Sequence, residues 1–281
     1  MTVLTVAQKQ GREFPPKSMP QKIVWNLKNN PKVELWFAWY TTVIFYNIFG
    51  VVFFIMTRTQ PPPKPWWDLP RIVQWFGDNE LGLLWGFGII FALGAFSIAS
   101  TALIVYSIRR MSVSPAFAWA YLILYSFSVL PGMLITCIAL VVGAMRLDRD
   151  PALMGLLYDI GFLAFSGTMG IFLVGSVVWA VAILLDTNRI LPKWFGYFNI
   201  CNALTEVVVA TCVIFKSGPF AWNGSIAFWI NFVVFGIYTG VFITFLKKMI
   251  ENEDFSEGAP LAQHREKEQG FRSAGPSGSA A

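Results

Sequence analysis

Three polar side chains in an otherwise apolar stretch are the residues of this sequence best suited to chemistry. Asn199, Asn202 and Glu206 lie three and four residues apart, a spacing that places them on one face of an α-helix. If the stretch crosses a bilayer, a charged residue in it costs at least about 2.5 kcal/mol on insertion scales. Glu206 is therefore expected to face protein or water and to have a polar partner. Asn47 and Asn231, in two other apolar stretches, are the candidate partners.

Two interpretations of these five residues remain open from the sequence. A neutral glutamic acid bonded to asparagines would hold helices together by hydrogen bonds. Alternatively, the same residues would bind a ligand or an ion, or pass a proton. The hypothesis for a ligand-binding or proton site comprises Glu206, Asn202, Asn199, Asn47 and Asn231.

The residue types on which most cofactor and metal chemistry depends are absent from the apolar stretches. The single histidine is His264, near the end of the sequence, so these stretches offer no bis-histidine haem site and no histidine-based zinc or diiron site. They contain no lysine for a Schiff base, and the chain has no nucleophile elbow or phosphate-binding loop. The sequence predicts no catalytic residue, no metal and no cofactor.

The elements that must position these side chains are long apolar helices. Of the 281 residues, 56% are hydrophobic and 13% are charged, against about 25% charged in a typical soluble domain. The charges form short clusters between apolar runs, and each run reaches the roughly 20 residues that cross a bilayer as a helix. Six membrane spans are predicted, at residues 35–56, 81–108, 115–145, 151–185, 194–215 and 225–245, and Pro131 is expected to kink the third.

The orientation of the spans follows from the basic residues in the loops. Fifteen Lys and Arg residues lie in the two terminal segments and the even-numbered loops, and six lie in the odd-numbered loops. The positive-inside rule places the richer face in the cytoplasm, with both termini. This distribution also explains the pI of about 9.1 without a nucleic-acid partner, because the basic residues flank apolar spans and form no single stripe.

The chain is thus predicted to have three parts. Residues 1–34 form a basic cytoplasmic arm, residues 35–250 a transmembrane domain of six helices, and residues 251–281 a disordered cytoplasmic tail, since the tail has no apolar period. In the first outside loop, a proline-rich run ends in Trp66 and Trp67, and Asp68 is expected to cap a short helix. With Ile72, Trp75 and Phe76 on one face, that helix would lie flat on the membrane or plug the bundle.

Several short runs give the chain a resemblance to known sequences. Over roughly residues 35–250 it resembles an uncharacterised family of six-helix bacterial integral membrane proteins that carry a domain of unknown function. The resemblance implies six spans and a bacterial cytoplasmic membrane, and it implies no activity. The runs that carry it are Arg149-Asp150-Pro151, Leu191-Pro192-Lys193-Trp194-Phe195-Gly196-Tyr197-Phe198-Asn199, Lys216-Ser217-Gly218-Pro219-Phe220-Ala221-Trp222-Asn223-Gly224 and Phe228-Trp229.

The fold class expected is all-α, a polytopic bundle of six transmembrane helices. The leading functional hypothesis is binding or transport of a small apolar or aromatic molecule, since the predicted interior is aromatic with few polar groups. A structural or assembly subunit of a membrane complex is the alternative, and a membrane enzyme using Glu206 as acid or base is the third. Membrane lipids are the expected partners, with a small ligand or other membrane proteins beside them.

The predicted orientation can be tested by reporter fusions after residues 65, 112, 150, 190, 220 and 255. The signals should alternate along the chain, beginning outside the cytoplasm, because six spans with cytoplasmic termini require this order. A cytoplasmic signal from the fusion at residue 220 would contradict the six-span topology.

Overall fold

The spans predicted from the sequence are present as helices. A computed structural model of the chain describes residues 18–19, 30, 32–168, 170 and 172–253. Most of the predicted arm at 1–34 and tail at 251–281 lies outside these residues, His264 included. Residues 38–252 form one compact unit. Within the described residues, six helices are long and apolar enough to cross a membrane: Val33–Met56, Leu69–Arg110, Ala116–Ala144, Pro151–Leu185, Lys193–Val213 and Ser225–Glu251.

Non-α turns interrupt or end these spans. The first span is α-helical over Val33–Gly50 and ends in a π-helical turn, Val51–Met56. A 3₁₀ turn at Gly94–Ser97 divides the second span into the helices Leu69–Leu93 and Ile98–Arg110. A π-helical turn at Leu130–Leu134 divides the third span into the helices Ala116–Val129 and Ile135–Ala144. The fourth span comprises the helices Pro151–Gly167 and Phe172–Leu185. The fifth span comprises the helix Lys193–Val209 and a 3₁₀ turn, Ala210–Val213. The sixth span begins with a π-helical turn, Ser225–Ile230, and continues as the helix Asn231–Glu251. Pro131 lies in the π-helical turn that interrupts the third span, at the position where the sequence predicts a kink.

The second span begins twelve residues before its predicted start. Asp68 caps a helix as predicted, accepting a hydrogen bond from the Arg71 backbone N–H at 3.3 Å. That helix is neither separate nor short, because it continues without a break to Leu93. Ile72, Trp75 and Phe76 are buried in the main aromatic core against Tyr158 and Phe162 of the fourth span. The prediction of a short helix lying flat on the membrane is therefore wrong, whereas its aromatic face does enter the bundle. Burial of this face extends the span beyond its apolar section.

Loops one and five meet at one end of the bundle, here called the odd-loop end. The indole of Trp222 in loop five donates a hydrogen bond to the Pro63 carbonyl at 2.6 Å, and the Tyr158 hydroxyl donates to the Lys64 carbonyl at 2.9 Å. Gly218 permits the turn that precedes Trp222, since its φ of +80° lies in the left-handed region that favours glycine. The proline-rich loop is thus fastened to the bundle by two side-chain donors.

Loops two and four meet at the opposite, even-loop end, where they share the buried carboxylate of Asp186. Its Oδ1 accepts from the backbone N–H and hydroxyl of Ser112, at 2.8 and 3.1 Å, and from the Asn188 N–H at 3.0 Å. Its Oδ2 accepts from the Ile190 N–H at 2.9 Å. Beside it, the Lys193 ammonium donates to three carbonyls at the end of the fourth span, as a basic residue at a helix C-terminus commonly does. The alternation of the loops between two ends agrees with the order of spans expected from the sequence.

Close contact between the first two spans depends on glycine. A side chain at Gly82 would overlap the Met56 carbonyl oxygen, and one at Gly86 would meet the Thr57 side chain at 2.6 Å. Gly88 lies on the same span, and a Cβ there meets nothing within 4 Å. Small residues permit such approach in lipid, where apolar burial between helices gives little driving force.

Gly82→Ala should therefore destabilise the protein, whereas Gly88→Ala should not. We expect Gly82→Ala to cost about 1–3 kcal/mol, the usual range for overpacking, because its clash is with backbone that cannot rotate away. The measurement is thermal unfolding in detergent for both variants. Equal melting temperatures for the two variants would contradict the close contact at Gly82.

Candidate functional site

The three polar residues of the fifth span share one buried face, as their spacing predicts. Asn199 is 0% exposed, Asn202 2% and Glu206 6%. At about 1.5 Å per residue, Glu206 lies about 20 Å along the axis from Lys193, where the span begins. The helix therefore turns a carboxyl group and two amides toward the protein, deep within the apolar part of the bundle.

Glu206 and Asn202 are in direct contact. Asn202 Nδ2 donates a hydrogen bond to Glu206 Oε1 at 2.8 Å. The other two oxygens of the pair, Glu206 Oε2 and Asn202 Oδ1, are both buried and have no hydrogen-bond partner among the described residues. Because an unpaired buried acceptor keeps its full desolvation cost, these two oxygens are the least satisfied groups of the cluster.

The sixth span supplies the nearest polar neighbours. The Tyr238 hydroxyl donates to Asn199 Oδ1 at 2.6 Å, and Asn199 Nδ2 donates to the Phe195 carbonyl at 3.3 Å. The Thr205 hydroxyl lies 3.2 Å from Asn231 Oδ1 and donates to the backbone oxygen of Asn202 at 2.7 Å. Asn231 is thus linked to the fifth span by the Thr205 hydroxyl and makes no direct hydrogen bond to Glu206.

Tyrosines from the first and third spans complete the polar neighbourhood. The Tyr46 hydroxyl lies near the Tyr125 hydroxyl and near the Ser100 side chain of the second span. Tyr46, Tyr121, Tyr125 and Tyr238 all interact electrostatically with Glu206. We refer to Glu206, Asn202, Asn199, Thr205, Asn231, Ser100 and these four tyrosines as the Glu206 cluster.

The fourth span adds an aromatic wall. Trp179 is 1% exposed, and its ring centroid lies 6.1 Å from Tyr121, 5.3 Å from Phe195 and 6.3 Å from Phe242. Its indole N–H is buried without a partner among the described residues. Every one of the six spans therefore contributes a side chain to the Glu206 cluster or to the wall beside it.

Asn47 does not join this cluster. Its side chain is exposed and donates to the Val43 carbonyl of its own helix at 2.8 Å. Tyr46, the preceding residue, faces inward in its place. Sequence reasoning missed the tyrosines and Trp179, although Tyr121 and Tyr125 lie four residues apart and so on one helical face. In a chain with 26 phenylalanines, 12 tryptophans and 8 tyrosines, that spacing does not stand out.

No positive charge of the spans lies near the Glu206 carboxyl group. The basic residues of the six spans are confined to the first or last turns, at Arg71, Arg109, Arg110, Lys193, Lys247 and Lys248. Within the described part of the chain, no group of three or more His, Cys, Asp or Glu residues could hold a metal ion. What the cluster offers chemically is a carboxyl oxygen and an amide oxygen, both able to accept hydrogen bonds from a bound group.

The fold and the site define a class, a multi-pass integral membrane protein with a polar cluster inside a six-helix bundle. Comparison with known proteins finds no matching protein family, no matching curated protein and no matching solved structure.

The hydrogen bond between Tyr238 and Asn199 predicts a measurable loss of stability on its removal. Tyr238→Phe should cost about 1 kcal/mol, within the range of side-chain hydrogen bonds between membrane helices, because it leaves a buried amide oxygen unpaired. Tyr197→Phe is the matched control, since Tyr197 lies on the exposed side of the fifth span. Thermal unfolding in detergent compares the two, and equal loss from both would contradict the buried bond.

Proposed function

We propose that this integral membrane protein binds or transports a small, largely apolar or aromatic molecule at the Glu206 cluster. The observation that carries the proposal is the pair of buried, unpartnered acceptors, Glu206 Oε2 and Asn202 Oδ1, beside aromatic side chains. Small-molecule sites have this composition, an apolar and aromatic lining with a few polar groups that fix orientation.

Convergence of the six spans on one polar cluster and the aromatic wall beside it supports the same proposal. A group that only joined two helices would need one partner across their contact, as Tyr238 has in Asn199. Glu206 instead has its single hydrogen bond within its own helix, while tyrosines of three other spans interact with it electrostatically. Substrate sites of membrane transporters commonly lie near the bilayer midplane between helices.

A structural or assembly subunit is the second candidate, favoured by Asn47. An exposed asparagine within a membrane span is expected to hydrogen-bond a neighbouring helix. Gly236 and Gly240 of the sixth span are also exposed, and a Cβ at either would meet nothing within 4 Å. These residues offer a surface for another membrane protein.

We propose that the protein resides in the cytoplasmic membrane of a bacterium. The proposal is based on the resemblance in sequence and on the charge distribution of the loops.

Removal of the Glu206 charge tests the proposed binding function. Glu206→Gln keeps the side-chain shape and the bond from Asn202, so the protein should fold with an unchanged melting temperature. Native mass spectrometry of gently extracted protein should show a small-molecule adduct on the wild type and a several-fold smaller one on Glu206→Gln. Glu206→Leu should also lose about 1–2 kcal/mol of stability, since it leaves the Asn202 amide unpaired.

Asp159→Asn is the matched control, because Asp159 is an exposed carboxylate of the fourth span and should retain the adduct. An adduct of equal size on wild type and Glu206→Gln would reject the site. A stoichiometric membrane protein in the preparation, with no small molecule, would favour the subunit function.

A further inference from the structure

We infer that the molecule bound at the Glu206 cluster carries a protonated amine, which is held by Glu206 Oε2 and Asn202 Oδ1 with its apolar body against the aromatic wall. The inference rests on the proposed function and adds the charge and donor count of the ligand. It follows from three properties of the cluster: the chemistry of the unpartnered atoms, the missing counter-charge and the aromatic surroundings.

When Glu206 is ionised, the two unpartnered atoms are both acceptors, so their complement is a group that donates. Glu206 Oε1 is already occupied by Asn202 Nδ2 at 2.8 Å, which leaves one carboxylate oxygen and one amide oxygen free. A ligand acceptor, such as a carboxylate or carbonyl, would meet these oxygens with repulsion. A primary ammonium has three N–H donors, of which two satisfy these oxygens.

Among the described residues, the six spans supply no cation for the carboxylate. The basic residues of the spans lie only in first or last turns, so Glu206 has no ion-pair partner within the fifth span, whose other charged residue is Lys193 at its start. A buried carboxylate without a counter-charge is strongly unfavourable in a low-dielectric interior. Either protonation of Glu206 or a ligand that brings one positive charge removes this cost, and only the ligand does so while the carboxylate stays ionised.

The aromatic surroundings favour an organic cation over a metal ion. Calcium takes about six to eight oxygen ligands and magnesium about six, whereas the cluster leaves two acceptors free. Among the tyrosines that interact electrostatically with Glu206, the rings of Tyr121 and Tyr125 stack with their centroids 5.4 Å apart. Tyrosine rings attract an ammonium group through the negative face of the π-system, and the wall of Trp179, Phe195 and Phe242 suits an apolar body.

Paired probes of equal shape test the inference. Benzylamine, 2-phenylethylamine and 4-phenylbutylamine are compared with the neutral benzyl alcohol, 2-phenylethanol and 4-phenylbutanol, by calorimetric titration of the protein in phosphatidylcholine nanodiscs at pH 7. At least one amine should bind at least about tenfold more tightly than its alcohol. Glu206→Gln should weaken amine binding about 10- to 100-fold, as expected for a lost charge-assisted hydrogen bond, and should remove the preference over the alcohol.

Two substitutions of Tyr125 test the contribution of its aromatic ring separately from that of the Glu206 charge. Tyr125→Phe keeps an aromatic face and should leave amine affinity within about threefold, whereas Tyr125→Leu should weaken it about fivefold, within the range of a cation–π contact.

Nanodiscs with phosphatidylethanolamine distinguish the source of the amine. Competition by that lipid would support the amine chemistry with a headgroup as the ligand, and its absence would support a free amine.

The outcomes separate this inference from the proposed function. If the alcohols bind as tightly as the amines, or if Glu206→Gln keeps the amine preference, the inference is overturned and small-molecule binding stands. If neither series binds to wild-type protein whose melting temperature is normal, both the inference and the binding function fail.

Discussion

The carboxyl group of Glu206 sets the constraint on which the interior of this bundle depends. A polar group within the hydrocarbon region must find its partners inside the protein, because neither lipid nor bulk water supplies them. Around Glu206 that requirement brings together amides of the fifth span, a tyrosine of the sixth and tyrosines of the first and third. The spans are apolar on most sides and expose large hydrophobic residues outward, so this cluster, with the aromatic core, determines which face of each helix turns inward.

Two buried carboxyl groups show how differently the chain treats structure and site. Asp186 has four hydrogen bonds from Ser112, Asn188 and Ile190, and these bonds join two loops. Both of its carboxylate oxygens accept hydrogen bonds, as expected of a structural carboxylate. Glu206 has a single hydrogen bond, from the same helix, and its second oxygen has no partner among the described residues. Incomplete satisfaction at the deeper of the two positions is what distinguishes a candidate binding group from a structural one.

The sequence predicts the spans well because length and hydropathy determine them, and it predicts the Asn199, Asn202 and Glu206 face because helical spacing determines that. It fails where direction or distance between helices matters. The first span is apolar on all sides, so nothing in the sequence shows that Tyr46 turns inward and Asn47 outward. The sequence predicts too late a start for the second span because the charged residues between Arg71 and Glu80 mask a helix whose other face is aromatic and buried. It does not indicate the role of Asp186, because the partners of that residue are 74 residues away in Ser112 and within its own loop.

The non-α turns of the bundle lie beside residues of the Glu206 cluster. The 3₁₀ turn Gly94–Ser97 ends three residues before Ser100, the π-helical turn Ser225–Ile230 leads directly into Asn231, and the 3₁₀ turn Ala210–Val213 begins four residues after Glu206. Within a membrane, irregular backbone is tolerated where it is buried in protein or lines a polar cavity, and departures from α-helical geometry frequently mark functional positions. A purely structural cluster would be best served by regular helices, which hold side chains most rigidly. Irregular turns on three spans, close in sequence to an incompletely bonded carboxyl group and its neighbours, are consistent with the binding function proposed above.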